Sequence, residues 1–377
     1  MAAKHKFYII AGEPSGDLHA SNLMQAILDE RSNTDFRFWG GEKMNAIQKG
    51  MAKHIKDLAF MGFLEVVLNL RTILRNISFC KKDILAYQPD ALILVDYPGF
   101  NLRIAKWAKK HDIKVYYYIS PQIWAWKQNR VYKIKELVDK MYVILPFEKD
   151  FYKRFDFDVE YVGHPLLDEI AKFDFSDSRL SFLDRNQLDN RAIIAVLPGS
   201  RKQEVSVKLP IMLAAVKGYV NHQIIVAGAP TLSKEFYASI DDSVSVIFNE
   251  TYEIMANARA AIVTSGTATL EAALFKVPEV ICYKGSNISY SIAKRLIKVK
   301  YISLVNLILD QEVVKELIQH ECTSENIQLE LDKIINDENY RQMLIDKYNE
   351  LEEMLGGGGA SKKVAQSLFK TLSKTTK

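Results

Sequence analysis

Short, continuous apolar runs recur along this chain, each ending at Gly, Pro, Ser or Asp and each followed by a longer helical pattern. FYIIA (7–11), ALILVD (91–96), VYYYI (115–119), MYVIL (141–145) and AIIAVL (192–197) come first. QIIVAG (223–228), VSVIF (244–248), AAIVTS (260–265) and EVICYK (279–284) follow. A strand with no polar alternation is covered on both faces, and crossover helices between such strands build a parallel sheet. The pattern therefore predicts an α/β chain. With 377 residues it exceeds one typical core. A polar stretch, FDFSDSRLSFLDRNQLDNR, precedes the fresh strand at 192 and marks a break. The expected organisation is two doubly wound, Rossmann-like domains facing a cleft, one over 1–170 and one over 190–350. After GGGG (356–359) a tail helix over 360–377 shows Val364, Ala365, Leu368, Phe369 and Leu372 on one face, suited to docking back on the first domain.

Composition excludes several classes. Hydrophobic content of 48%, charged content of 25% and a net charge of +4 describe an ordinary globular chain, far from a nucleic-acid-binding signature. Cys80, Cys282 and Cys322 are widely spaced and form no CxxC pair, which argues for a reducing compartment and against a zinc site. The apolar run at 7–11 is too short for a signal peptide, and no window reaches the roughly 18 apolar residues of a spanning helix. A cytosolic protein is expected, with any membrane contact peripheral.

Both expected domains open with a strand, a glycine turn and a helix, but the two turns differ in charge. In LPGSRKQEV (197–205), Gly199 and Ser200 would aim backbone N–H groups at an anion while Arg201 grips it, as a diphosphate requires. In AGEPSGD (11–17), Glu13 and Asp17 would repel one. That loop reads either as a tight turn with Ser15 or Asp17 capping the helix, or as the acceptor side of a transfer site built from Glu13, Ser15, Gly16 and Asp17.

Further chemistry sits at strand ends. SGTATLE (265–271) places Ser265, Gly266 and Thr267 as donors for a second phosphate oxygen and Glu271 as an acceptor for ribose hydroxyls; the competing reading is a capped helix with Glu271 solvated. Asp96 ends a buried strand where a carboxylate faces the crevice of an open sheet, either as a general base or as a cap before Pro98. Trp124 and Trp126, beside Lys127 and Arg130, read as a wall for sugar or acyl chain, or as packing. Over 61–79, Met61, Phe63, Val66, Val67 and Leu70 with Arg71 and Arg75 form a basic, apolar stripe that fits either a bilayer interface or the core. DFD (156–158) imitates a metal motif in a setting that does not support one, His19 and His164 stand alone in the sequence, and no metal or cofactor is expected.

Taken together, AGEPSGDLHA, MGFLEV, VDYPGFN, YYISPQIWAW, YVGHPLLD, LPGSR, SGTATLE and YISLVNLI make the chain resemble the lipid-A-disaccharide synthase family of inverting GT-B glycosyltransferases over nearly its whole length. The resemblance implies transfer of diacylated glucosamine from UDP-2,3-diacylglucosamine to the 6-hydroxyl of a diacylglucosamine-1-phosphate lipid. The products are a β-1,6 disaccharide and UDP, at the cytoplasmic surface of a Gram-negative inner membrane. It also implies that Asp96 is essential, that Arg201, Glu271 and Asn306 are donor-side residues, and that a homodimer is among the assemblies to expect. Gly99 stands where some relatives carry an acid, and Val305 and Lys315 replace prolines of the family pattern. The rival readings are a UDP-sugar epimerase or hydrolase of the same architecture and a non-catalytic nucleotide-sugar or lipid-binding protein.

Overall fold

The structure, a computed structural model, describes residues 4–58, 70–177, 179–285, 290 and 299–375. The chain divides into two compact units, the first comprising 1–168 with 357–377 and the second 169–356.

Unit 1 holds seven strands: β1 (His5–Ala11), β2 (Thr34–Gly40), β3 (Met51–His54), β4 (Ala91–Val95), β5 (Lys114–Tyr118), β6 (Lys140–Val143) and β7 (Glu160–Tyr161). They pair in the order β3-β2-β1-β4-β5-β6-β7, every pair parallel. The central strands are the continuous apolar runs of the sequence, and β4 is buried from end to end. β2, TDFRFWG, alternates at its start and was not expected as a strand, nor were the short outer strands β3 and β7. These lie toward the sheet margins, where one-sided cover removes the continuous apolar signal.

Unit 2 holds β8 (Ala192–Leu197), β9 (His222–Gly228), β10 (Ser245–Phe248), β11 (Ala258–Thr264), β12 (Glu279–Tyr283) and β13 (Glu316–Ile318) in the order β10-β9-β8-β11-β12-β13, again all parallel. The polar stretch after 170 is more than a linker. Phe182 and Leu183, on helix Arg179–Arg185, are buried against Ile193, Ile225 and Val263 in this unit's core.

The tail helix, Ala360–Thr375, packs on helix Pro14–Glu30 within unit 1. Val364, Ala365 and Leu368 are fully buried, Gln366 Nε2 donates to Glu30 at 2.8 Å, and Ser367 Oγ donates to Glu160 at 2.7 Å. The glycine run is shaped rather than merely loose. Gly356, Gly357 and Gly359 take φ of 75°, 73° and 87°, and the Asp168 carboxylate receives the Gly359 N–H. Left-handed backbone at three of four positions is what glycine permits without steric cost.

Candidate functional site

In an open parallel sheet the chain leaves a crevice where neighbouring strands send their connections in opposite directions. Both units have one such point: between β1 and β4 in unit 1, and between β8 and β11 in unit 2. Asp96 and Glu13 lie at the first point, and Gly199, Ser200, Ser265, Gly266 and Thr267 at the second.

In unit 1, β1 runs into Gly12 and Glu13, and helix Pro14–Glu30 starts with proline at its first position, where a missing N–H costs nothing. Beside it β4 ends at Asp96. Asp96 and Tyr97 both adopt left-handed backbone, φ 44° and 47°, immediately before helix Pro98–Lys109. Two consecutive non-glycine residues in that region persist only where the surroundings over-determine them. Here they do. Asp96 N–H donates to the Tyr118 carbonyl at 3.1 Å, and the Asp96 carbonyl accepts from Asn101 Nδ2 at 2.7 Å and from the Tyr117 hydroxyl. Gly12 is required because a Cβ there would lie 2.3 Å from the Tyr97 ring. Burial pushes the Asp96 carboxyl up to about 6, and the nearby Glu13 charge adds to that shift. The result is a carboxylate held in one place with a proton affinity suited to accepting a hydroxyl proton near neutrality.

Other first-turn residues behave differently. Asp17 is 4% exposed, and its two oxygens accept from Gly41 N at 2.6 Å, Lys43 N at 3.1 Å and Met44 N at 3.2 Å. It caps the short helix Glu42–Ile47 from the side, so neither its own helix nor an acceptor takes that carboxylate. Ser15 is exposed and does not cap helix Pro14–Glu30, while Gly16 is buried with its Cβ position 3.3 Å from Ala11. His19 and His164 are near enough to interact, and burial with the His19 neighbour lowers His164 to about 3, keeping it neutral. Trp124 is core, edge-on to Phe147, whereas Trp126 is 39% exposed beneath Lys127 and Arg130. Glu148 is not among the residues singled out in the sequence. It is buried, receives Ile144 N at 3.1 Å and Leu145 N at 2.9 Å, and burial raises it to about 7. Of the basic stripe, Met61, Phe63, Val66 and Val67 lie outside the described residues, as does the side chain of Leu70; Arg71 and Arg75 are exposed on helix Leu70–Tyr87.

In unit 2 the two glycine turns meet around a cavity of ≈ 300 Å³. Gly199, Ser200 and Glu204 form one wall, Ser265, Gly266, Thr267 and Glu271 another. Gly199 has φ +109° and a Cβ there would meet Glu204 Oε2 at 2.7 Å, so glycine is needed twice over. Gly266 precedes the eight-residue helix Thr267–Leu274 and leaves that end open. Two expectations need correction. The Ser265 N–H is spent on the Cys282 carbonyl at 3.1 Å, so the backbone donors left at this turn begin at Gly266. Asn306 is fully buried away from the cavity walls: Nδ2 donates to Val314 O and Glu316 Oε1 at 2.9 Å, and Oδ1 accepts from Val313 N and Val314 N. It braces a turn.

The charge contrast drawn from the sequence also softens. Glu204 and Glu271 both face the cavity, although only Arg201 was weighed at this turn. Arg201 is exposed, outside the described walls, and 3.6 Å from Glu204. Burial raises the Glu271 carboxyl above its usual range, and Tyr252 Oη donates to it at 3.1 Å. An uncharged or hydrogen-bonded carboxyl there suits sugar hydroxyls better than phosphate.

Comparison with known proteins agrees. The chain is 39% identical over 368 residues to the lipid-A-disaccharide synthase of Trichlorobacter lovleyi, with 95% of each chain covered. It is 37% identical over 382 residues to that of Geobacter metallireducens, 99% of each covered, and 37% over 364 residues to that of Coxiella burnetii, covering 95% of this chain and 96% of that one. Among solved structures, UDP-GlcNAc 2-epimerase from Neisseria meningitidis bound to UDP-GlcNAc aligns with TM-score 0.67 at 14% identity, over 97% of this chain and 100% of that one. The glycotransferase of kitacinnamycin aligns with TM-score 0.67 at 9% identity, over 98% and 100%. At such identities these two show the fold alone. The profile of the lipid-A-disaccharide synthetase family matches residues 7–367, and the chain belongs to that family, an enzyme family of glycosyltransferases.

Proposed function

We propose that the enzyme moves diacylated glucosamine from UDP to the 6-hydroxyl of a diacylglucosamine-1-phosphate lipid in a single inverting displacement. Asp96 takes the proton of the attacking hydroxyl, and the observation that carries this role is its fixed, left-handed position at the β1/β4 crevice with a carboxyl raised to about 6. Glu13 keeps that carboxyl from becoming too weak a base. The unit 2 cavity takes the nucleotide: backbone N–H groups at Gly199–Ser200 and Gly266–Thr267 stabilise the departing diphosphate, Arg201 adds a cation, and Glu271 receives ribose hydroxyls. The chemistry runs without a metal. Acceptor activation thus belongs to unit 1 and leaving-group stabilisation to unit 2.

A lipid acceptor implies a bilayer surface, and unit 1 supplies one suited to it. Helices Leu70–Tyr87, Pro98–Lys109 and Arg130–Leu137 pack side by side and expose Arg71, Arg75, Lys82, Arg103, Lys106 and Lys133. Leu74 and Phe79, on the first of these helices, are exposed too, and no described helix is long and apolar enough to cross a membrane. Cations with apolar side chains between them favour an anionic lipid surface, consistent with peripheral attachment at the cytoplasmic face.

Purified protein with the UDP-linked donor, with and without lipid acceptor, tests the reading. UDP release and a disaccharide lipid that both require acceptor are expected. Release of UDP, or sugar inversion, from donor alone would instead favour the hydrolase or epimerase reading, which the fold likeness by itself admits.

A further inference from the structure

Next to Asp96 the unit 1 sheet sends out a second connection. β5 pairs with β4, Val95 opposite Tyr118, and the Tyr118 carbonyl accepts the Asp96 N–H. The chain leaving β5 therefore starts one strand spacing, about 4.8 Å, from the strand that ends at Asp96. It turns at Ile119, φ 66°, runs through buried Ser120 and enters the short helix Ile123–Trp126. Ser120 Oγ and Tyr152 Oη lie 2.7 Å apart, Trp124 packs edge-on against Phe147, and Gln128 Nε2 donates to the Trp124 carbonyl at 3.0 Å. Arg130 N–H donates to the Lys127 carbonyl at 3.0 Å, and buried Val131 and Ile134 anchor helix Arg130–Leu137. The backbone on both sides of Trp126 is thus held, while its indole is 39% exposed.

Two cations stand on that indole. Lys127 Nζ is 4.3 Å and the Arg130 guanidinium carbon 5.2 Å from the ring centre, both within cation–π range. The two like charges are therefore within about a Debye length of each other. Both side chains are partly exposed, and neither joins an ion pair or a side-chain hydrogen bond with a described residue. From Trp126 to Lys135 the chain adds Lys133 and Lys135 and no acid, and Lys135 is spent on the Phe155 carbonyl at 3.2 Å. Like charges gathered on one ring without a carboxylate make a site short of negative charge. A guanidinium fork takes two oxygens of a phosphate and an ammonium takes a third as a point charge, so the pair suits a doubly charged phosphate monoester.

We propose that Lys127 and Arg130, steadied on the Trp126 ring, form the subsite for the phosphate of the lipid acceptor. The proposal rests on the acceptor reading given above. The attacking hydroxyl and the phosphate sit on one sugar, and the two groups that would receive them, Asp96 and the cation pair, follow neighbouring strands of one sheet edge. Holding the phosphate orients the ring, so that the hydroxyl rather than a lipid chain meets Asp96.

The test compares the diacylglucosamine-1-phosphate lipid with the same lipid lacking its phosphate, both in neutral detergent micelles. Lys127→Met and Arg130→Met should each raise the acceptor KM by about 10-fold, with the donor KM unchanged. On the phosphate-free lipid the unaltered protein should already show the weaker KM, and the variants should lose nothing further. Trp126→Leu should cost about 3-fold in acceptor KM, and Trp126→Phe, which keeps an aromatic face, should restore it. Equal losses on both lipids would mean that these side chains serve packing alone and would overturn the proposal. So would variants that keep their micellar KM but no longer float with anionic phospholipid vesicles, since the cations would then serve the bilayer surface. If the unaltered protein makes no acceptor-dependent product, the transfer reading fails and the subsite is decided by equilibrium binding of the two lipids, followed by tryptophan fluorescence. A preference for the phosphate-bearing lipid that disappears in the double variant sustains the subsite, and equal binding of both lipids by the unaltered protein overturns it.

Discussion

The two units share a strand order, read outward from the same kind of crossover, and place a glycine turn at the same point of it. Yet they put different groups at that point. In unit 1 the β4 end presents a carboxylate whose proton affinity has been raised, with a second carboxylate beside it. In unit 2 the corresponding β11 end presents small residues and an open helix start, and Glu204 and Glu271 also line the cavity. The fold supplies a crevice, and the residue at the strand end decides whether that crevice attracts a proton or an anion. The comparison breaks most directly at Asp96. Asp96→Asn keeps shape and hydrogen bonding but removes the base, so turnover should fall by about 10²-fold or more while UDP affinity is unchanged. Steady-state kinetics with parallel UDP titration measures both. Loss of UDP binding together with turnover would mean that the division of labour between units is wrong.

The mirror experiment is Gly199→Val. The left-handed φ of +109° strains any side chain there, and the Glu204 carboxylate, 2.7 Å from the Cβ position, would have to move aside. The expected cost is about 1–3 kcal/mol of strain at the turn, read as a UDP affinity weaker by roughly 10-fold or more with Asp96 chemistry intact. Calorimetric UDP titration checks it. Unaltered affinity would move the nucleotide away from this turn.

A smaller effect sharpens the unit 1 side. Glu13 raises the Asp96 carboxyl, so Glu13→Gln should lower it, and the acid limb of the kcat profile, which falls as pH drops through about 6, should move to lower pH. Because the base is weaker in that variant, the plateau rate should also drop modestly. A limb that stays in place would mean another group titrates there.

How much of this was legible beforehand depends on what each residue does with its neighbours. The central strands could be read because burial on two faces leaves a continuous apolar run, and the turns at Gly199 and Gly266 because their positive φ calls for glycine. Asp96 could be read because a polar residue ending an apolar run has few structural excuses. Asp17 and Asn306 were read otherwise for one reason: each is a polar residue in a distinctive motif whose partners are backbone amides outside that motif, 24 and 27 residues on for Asp17 and 7 and 8 for Asn306. Local spacing shows the donor or acceptor but not that a distant turn has already taken it. The same holds for Ser265, whose N–H is consumed by the adjoining strand.

The units differ once more in their buried acids, and here the difference concerns stability alone. Glu148 of unit 1 and Glu279 of unit 2 are each 1% exposed. Glu148 answers two backbone amides, whereas neither oxygen of Glu279 has a hydrogen-bond partner among the described residues, and burial holds its carboxyl well above the usual range. Burial therefore favours the protonated form of Glu279 in the folded chain. The unfolded chain ionises it above about pH 4.3, so as pH rises the unfolded state is favoured by about 1.4 kcal/mol per pH unit until the folded group also titrates. Glu279→Gln removes that drift. The variant should match the original near pH 4 and exceed it near pH 7.5 by about 1 kcal/mol or more, seen as a later urea transition of unit 2. Glu148→Ala should do the reverse, stranding two buried N–H groups at a cost of about 2 kcal/mol, visible in unit 1. Equal urea curves for Glu279→Gln and the original at both pH values would mean that water or an unseen donor reaches the carboxyl, and the contrast between the two buried acids would disappear.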